Sequence, residues 1–178
     1  MGKTLVIGVM GSAKNAPSSQ FEKAERLGRK IAELGHTLLT GATIGLTRKA
    51  AIAALQAGGI TIGISPFSNR KEHKEGGLPL DDTHIIFTGL GFTGRNLINI
   101  RSCDAVIFIG GSNGTLNEFT VAYAEGKIIG ILENSTGFSS HYRGVLKIVG
   151  GKHTGAKIIA DKSPEKLVER VVELALDA

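Results

Sequence analysis

The sequence predicts an α/β protein: a three-layer Rossmann-like fold with a doubly wound, mainly parallel sheet. Three observations carry this. Strand-like and helix-like segments alternate along all 178 residues. The first strand-like segment, Thr4 to Gly11, is a continuous β-branched apolar run, as in a strand buried on both faces of a parallel sheet. Most strand-to-helix turns carry glycine. Right-handed βαβ crossovers then place helices on both faces. One domain is expected, since the length suits a single core and no linker or internal repeat interrupts the alternation.

The elements follow in order. "TLVIGVMG" (Thr4 to Gly11) is the first strand. Phe21, Ala24, Leu27, Ile31 and Leu34 recur at helical spacing, with Ser18 or Ser19 as cap and Gly35 as stop. "HTLLTG" is the second strand, followed by an Ala-rich helix closing on Gly58 and Gly59. "ITIGISP" is the third strand, stopped by Pro66. "FSNRKEHKEGGLPLDDT" shows no periodicity and reads as a loop. "HIIFTG" is the fourth strand and "FTGRNLINIRSC" its helix. "DAVIFIGG" and "TLNEFTVAYAEG" form the fifth pair. "KIIGILE" is the sixth strand, and "FSSHYRGVLKIVGG" reads as a helix or a helix with a loop. "AKIIA" is the last strand. Ser163 then caps a helix with Pro164 at its first position.

Composition narrows the function. The chain carries 21 Lys and Arg against 16 Asp and Glu, a formal charge of +5. The basic residues are scattered except in "NRKEHK", with no stripe interleaved with aromatics, so no nucleic acid is expected as partner. A mild basic excess suits anionic small molecules. The single cysteine, Cys103, excludes an intrachain disulfide and a Cys-rich metal site. The five histidines lack ligand spacing, so no metal is expected. The N-terminal apolar run is too short for a membrane span or a secretory signal, and the cytoplasm is the expected location.

In a doubly wound sheet the ligand lies beyond the carboxyl ends of the strands. The turns there are the candidates. After the first strand, Gly11 and Ser12 stand in "GSAKN", which fits neither the dinucleotide fingerprint nor a P-loop. Gly41 and Gly45 flank the second turn, for backbone approach to a ligand or for close packing. "GLGFTGRN" brings Arg95 and Asn96 to a helix start; an Arg there opposes the helix dipole, so it is either a surface residue or an anion clamp. "GGSNGTLNE" is the most specific. Its amides at Gly111, Ser112, Asn113 and Gly114, with Thr115, make an anion nest. Glu118 then stands either on the ligand or back on Thr115 in a capping box.

The pairing of "GRN" with "GGSNGTLNE" resembles the Lonely Guy cytokinin-activating phosphoribohydrolases, long misnamed lysine decarboxylases. That family carries an Arg-Lys pair and then a strand ending in P-G-G-x-G-T-x-x-E. Arg95 takes the Arg position, and Gly111, Gly114, Thr115 and Glu118 fit the rest. "GSAKN", "LTGATIGL" and "AGGITIGISP" resemble other turns of the family, so the likeness runs from about Leu5 to Asn134. Asn96 replaces the Lys, Gly110 the Pro and Ser112 the second Gly. These departures look more like the molybdenum-cofactor carrier-like branch of the same superfamily.

The resemblance implies two functions. One is a binder of a nucleotide or a phosphorylated, molybdopterin-type cofactor. The other is a nucleoside 5′-monophosphate phosphoribohydrolase that needs no cofactor, with Arg95 and Glu118 catalytic. It also implies a homodimer or larger homo-oligomer. Arg95 and Glu118 are expected to face each other in one cleft, with the Arg holding the Glu pKa down so that it stays charged.

Overall fold

The structure is a computed structural model and describes residues 3–12, 16–80, 84–150 and 153–178. The "AKN" part of the first turn and the end of the expected 67–83 loop lie outside the described residues. Among the described residues, seven strands form one sheet: β1 (Val6–Gly11), β2 (Thr37–Thr40), β3 (Thr61–Ser65), β4 (His84–Phe87), β5 (Ala105–Ile109), β6 (Ile128–Leu132) and β7 (Lys157–Asp161). Their order is β4-β3-β2-β1-β5-β6-β7. All six pairings are parallel. The inner strand β5, next to the central β1, is buried at every residue, as its unbroken apolar run requires.

The helices are α1 (Ser18–Glu33), α2 (Leu46–Gln56), α3 (Arg70–Glu75), α4 (Gly91–Arg101), α5 (Asn113–Ala124), α6 (Phe138–Val149) and α7 (Pro164–Leu176). One core joins α1, α2 and α7 to the face of the sheet that carries Ile7, Val9 and Ile107. The other joins α4, α5 and α6 to the face with Met10, Val106 and Phe108. The chain winds outward from β1 to β4, and α4 then carries it back to β5, which pairs with β1 on the other side. The order therefore switches between β1 and β5, and a crevice opens at their carboxyl ends.

Three local expectations are corrected, and one left open is decided. The 67–83 stretch holds the short helix α3, too brief to show a period. Its signature was a cap: Asn69 accepts from the Glu72 amide at 3.0 Å and donates to the Glu72 carboxylate at 2.8 Å. Ser18 is inside α1 rather than capping it; Pro17 precedes the helix and provides no side-chain bond. The helices α4 and α5 begin at Gly91 and Asn113, a little earlier than their apolar residues suggest. The 138–151 stretch is a helix through Val149. Ser163 does cap α7, accepting from the Lys166 amide, with Pro164 beside it.

Helices α1 and α2 touch at Gly28. A Cβ there would lie 1.9 Å from the Ala50 carbonyl oxygen, a backbone atom that cannot swing aside. On an exposed helix Gly→Ala stabilises by about 1 kcal/mol. Here overpacking, at about 1–3 kcal/mol, should win. Gly28→Ala is expected to lower the urea midpoint, and a stabilised variant would refute the close contact.

Candidate functional site

The crevice at the switch point is a cleft of about 290 Å³. Its floor is Met10 and Gly11 at the end of β1 and Gly41 after β2. One wall is the start of α4, with Phe92, Thr93, Arg95 and Asn96. The other is the start of α5, with Ser112, Asn113, Gly114, Thr115 and Glu118. Thr43 and Thr47 close it toward α2.

The start of α5 is set by two glycines. Gly110 and Gly111 have φ of +66° and +105°, left-handed backbone that side chains resist. The turn is then tied down on both sides. Gly111 donates its amide to Ser12 Oγ at 2.7 Å, while its carbonyl accepts from the Phe138 amide at 2.8 Å. The Gly110 carbonyl accepts from Ser139 through both amide and hydroxyl. The Gly111 amide is occupied, and Ser12 holds the turn from below rather than lining the cleft. The Ser112 amide stays in the expected nest, and the first-turn amides at Asn113, Gly114 and Thr115 have no intrahelical carbonyl partner. Gly45 also stands apart from the cleft lining. It precedes α2 with φ of +85°, and the Leu46 amide that follows it donates to the Ser12 carbonyl at 2.9 Å.

Arg95 and Glu118 do meet in the cleft. Arg95 Nη1 lies 3.9 Å from Glu118 Oε1, with both residues buried. The capping-box alternative does not form: Ser112 is the N-cap and no side chain bonds to the first amides. Glu118 sits in the second turn of α5, its carboxylate toward α4. The guanidinium rests on Gly41, where a Cβ would be 1.7 Å from Nη1. The absence of a side chain at Gly41 thus makes the seat for Arg95. The neighbouring Ala42 has φ of +50°, a strained value for a residue with a Cβ.

The expected charge balance is overturned. Burial pushes the Glu118 carboxyl above its ordinary value, against the opposing pull of Arg95 and of a bond from Asn99. Burial likewise lowers Arg95, against the attraction of Glu118. A contact of 3.9 Å is at the outer limit of an ion pair, and its attraction does not offset desolvation. Arg95 stays protonated regardless. Its Nε is buried without a hydrogen-bond partner.

Two partners were not singled out by sequence. Asn99 donates to Glu118 Oε1 at 3.2 Å, from one turn beyond Arg95 on the same face of α4. The i, i+4 spacing was the available signal. Asn117 accepts from Asn96 Nδ2 at 2.9 Å, so Asn96 ties α4 to α5 where the resembled family has a lysine. Met10, Thr43, Thr47, Phe92 and Thr93 also line the cleft and were not singled out as site residues by sequence.

Comparison with known proteins gives consistent findings. The model of the SLOG cluster4 family matches residues 4–168. An uncharacterized protein of Archaeoglobus fulgidus is 36% identical over 132 residues, 74% of this chain and 82% of that one. The molybdenum cofactor binding protein of Rippkaea orientalis has a similar structure, with a TM-score of 0.79 and 32% identity over 97% of this chain and 98% of that one. The molybdenum cofactor carrier protein of Chlamydomonas reinhardtii gives 0.74 and 27%, over 96% and 99%.

Proposed function

The chain belongs to the SLOG cluster4 family, and we propose on that premise that its cleft binds a nucleotide or a phosphorylated cofactor. The observation that carries the reading is the meeting of the α5 amides with a buried Arg95 whose Nε lacks a partner. Both offer N–H donors and positive charge to one anion. A phosphate on Asn113, Gly114 and Thr115 leaves the rest of the ligand toward Glu118, Gly41 and Phe92. The similarity to molybdenum cofactor binding and carrier proteins supports a phosphorylated pterin as one ligand class. The residues fit such a group at its phosphate end. The volume, about 290 Å³, is at the small end for ligand pockets, which favours a ligand of mononucleotide size.

A second reading rests on Glu118. A buried carboxylate beside the sugar end of a nucleoside 5′-monophosphate suits hydrolysis of the N-glycosidic bond. Water adds to the ribose C1′, the bond to the base nitrogen breaks, and the base leaves with a proton, giving free base and ribose 5-phosphate. Glu118 would stabilise positive charge on the sugar or take the proton of the water. Its raised pKa suits the second role, because a general base works best when its pKa approaches the working pH. A homo-oligomer and a single domain over residues 1–178 belong to the same reading; light scattering tests the first.

One experiment separates the two readings. AMP, GMP and CMP are added to the protein, with melting temperature and free base both followed. Binding alone raises the melting temperature with no product. Hydrolysis releases base, and Glu118→Gln should then slow release by about a hundredfold or more while keeping the melting shift. No shift with any of these nucleotides or with a phosphorylated pterin at millimolar concentration would end the proposal.

A further inference from the structure

The chain has few aromatic residues: seven Phe, two Tyr and no Trp. Eight of the nine are buried or half-buried. The exception is Phe92, which is 54% exposed and lines the cleft. It is the one aromatic side chain among the residues that line it.

Its ring is supported from behind. Phe67 meets Phe92 edge-on, with centroids 6.1 Å apart and planes at 78°. Phe67 is itself held. A Cβ at Gly76 would be 2.3 Å from its ring, so the bare backbone of Gly76 packs against it. On its other side is the His73 ring, edge-on at 6.1 Å. His73 is fully buried and fixed at both nitrogens, by Ser65 Oγ at 2.8 Å and the Pro79 carbonyl at 2.9 Å. Phe87 packs edge-on against it from β4. The otherwise unexplained "NRKEHK" segment thus supplies, through His73 in α3, the far end of this aromatic support. A ring braced on one side in this way has less freedom to lose in ordering than an unsupported one.

We infer that Phe92 is the stacking surface for a planar heterocycle, and so the residue that selects ligands carrying one. This rests on the proposed phosphate binding at the start of α5. Phe92 belongs to the α4 wall of the same cleft that the start of α5 lines. A ligand anchored by its phosphate on α5 therefore spans the cleft with its other end at Phe92. Aromatic rings stack on any purine, pyrimidine or pterin, because each presents a π-face. The cleft then reads phosphate at one end and a flat ring at the other.

The test compares AMP and GMP, which carry a ring, with ribose 5-phosphate, which does not. Their dissociation constants are measured by calorimetry for the native chain, Phe92→Leu and Phe92→Tyr. Leu keeps the apolar bulk and loses the π-face; Tyr keeps both. The nucleotides should bind about tenfold more weakly to Phe92→Leu, and about equally to Phe92→Tyr and the native chain. Ribose 5-phosphate should bind all three alike. If Phe92→Leu weakens all three ligands equally, or none, Phe92 is not a stacking surface and the inference falls while phosphate binding stands. If the native chain binds none of the three, this inference falls together with the nucleotide reading.

Discussion

Arg95→Met is expected to lose phosphate-ligand binding by about a hundredfold at neutral pH, with a smaller loss of stability. The binding loss is that of a buried, charged hydrogen-bond donor, about 2–5 kcal/mol. Removing one member of a buried ion pair costs the fold about 3–5 kcal/mol when the other charge is stranded. Here Glu118 has an escape. Its pKa already lies above the ordinary value because burial outweighs Arg95, and without Arg95 it rises further. Glu118 then takes up a proton instead of remaining a lone buried anion. The sign follows from linkage. A carboxyl whose pKa is raised on folding contributes stability at acid pH, below its unfolded value, and loses it as pH rises through the folded value. The variant should therefore match the native chain near pH 4.5 and fall behind as pH increases. The slope approaches about 1.4 kcal/mol per pH unit where the proton difference is complete. Urea midpoints between pH 4.5 and 8 measure this. A pH-independent gap would mean that Glu118 stays ionised without Arg95 and that the assigned direction is wrong.

How far the sequence revealed this site depended on whether a residue acts through its neighbours in the chain or across space. The strands were readable as short apolar runs between turn residues; the inner ones fill a two-sided core, as the complete burial of Ala105–Ile109 shows, while the edge strand β4 leaves Ile86 exposed. The juxtaposition of Arg95 with Glu118 followed from topology, since both start helices on the carboxyl edge of one parallel sheet. The charge state did not follow. Opposite charges suggest mutual stabilisation, but the outcome turns on desolvation against a 3.9 Å separation, and neither is encoded in spacing. Gly111 shows the same limit. Its place in a glycine-rich turn suggests a free amide, whereas Ser12, 99 positions away, occupies it. Asn99 was within reach of periodicity because it lies one turn from Arg95; the aromatic support behind Phe92 was not, because it depends on Phe67, in the turn after β3, standing between His73 and Gly76 on one side and Phe92 at the start of α4 on the other.

Gly41→Ala should reproduce the loss of Arg95 without touching its charge. Gly41 has no left-handed φ that would forbid a side chain, so the backbone itself accepts alanine. The obstacle is the guanidinium: the new Cβ would stand 1.7 Å from Nη1 and 2.7 Å from Cζ of Arg95. Arg95 is enclosed by α4, α5 and the strand ends, so it has to leave its seat beside Glu118 or push the turn after β2 outward. Overpacking of this kind costs about 1–3 kcal/mol, a fall in melting temperature of roughly 2–10 °C for a chain of this length. Phosphate-ligand affinity should fall about as far as in Arg95→Met, because the donor has been displaced from the α5 amides. The double variant separates this from general damage. If Gly41 acts only by seating Arg95, then once Met replaces Arg the added methyl meets a flexible apolar chain and the two affinity losses do not add. Additive losses would show that Gly41 touches the ligand directly, through the close backbone approach that a bare glycine allows, and the seat would then be incidental to binding.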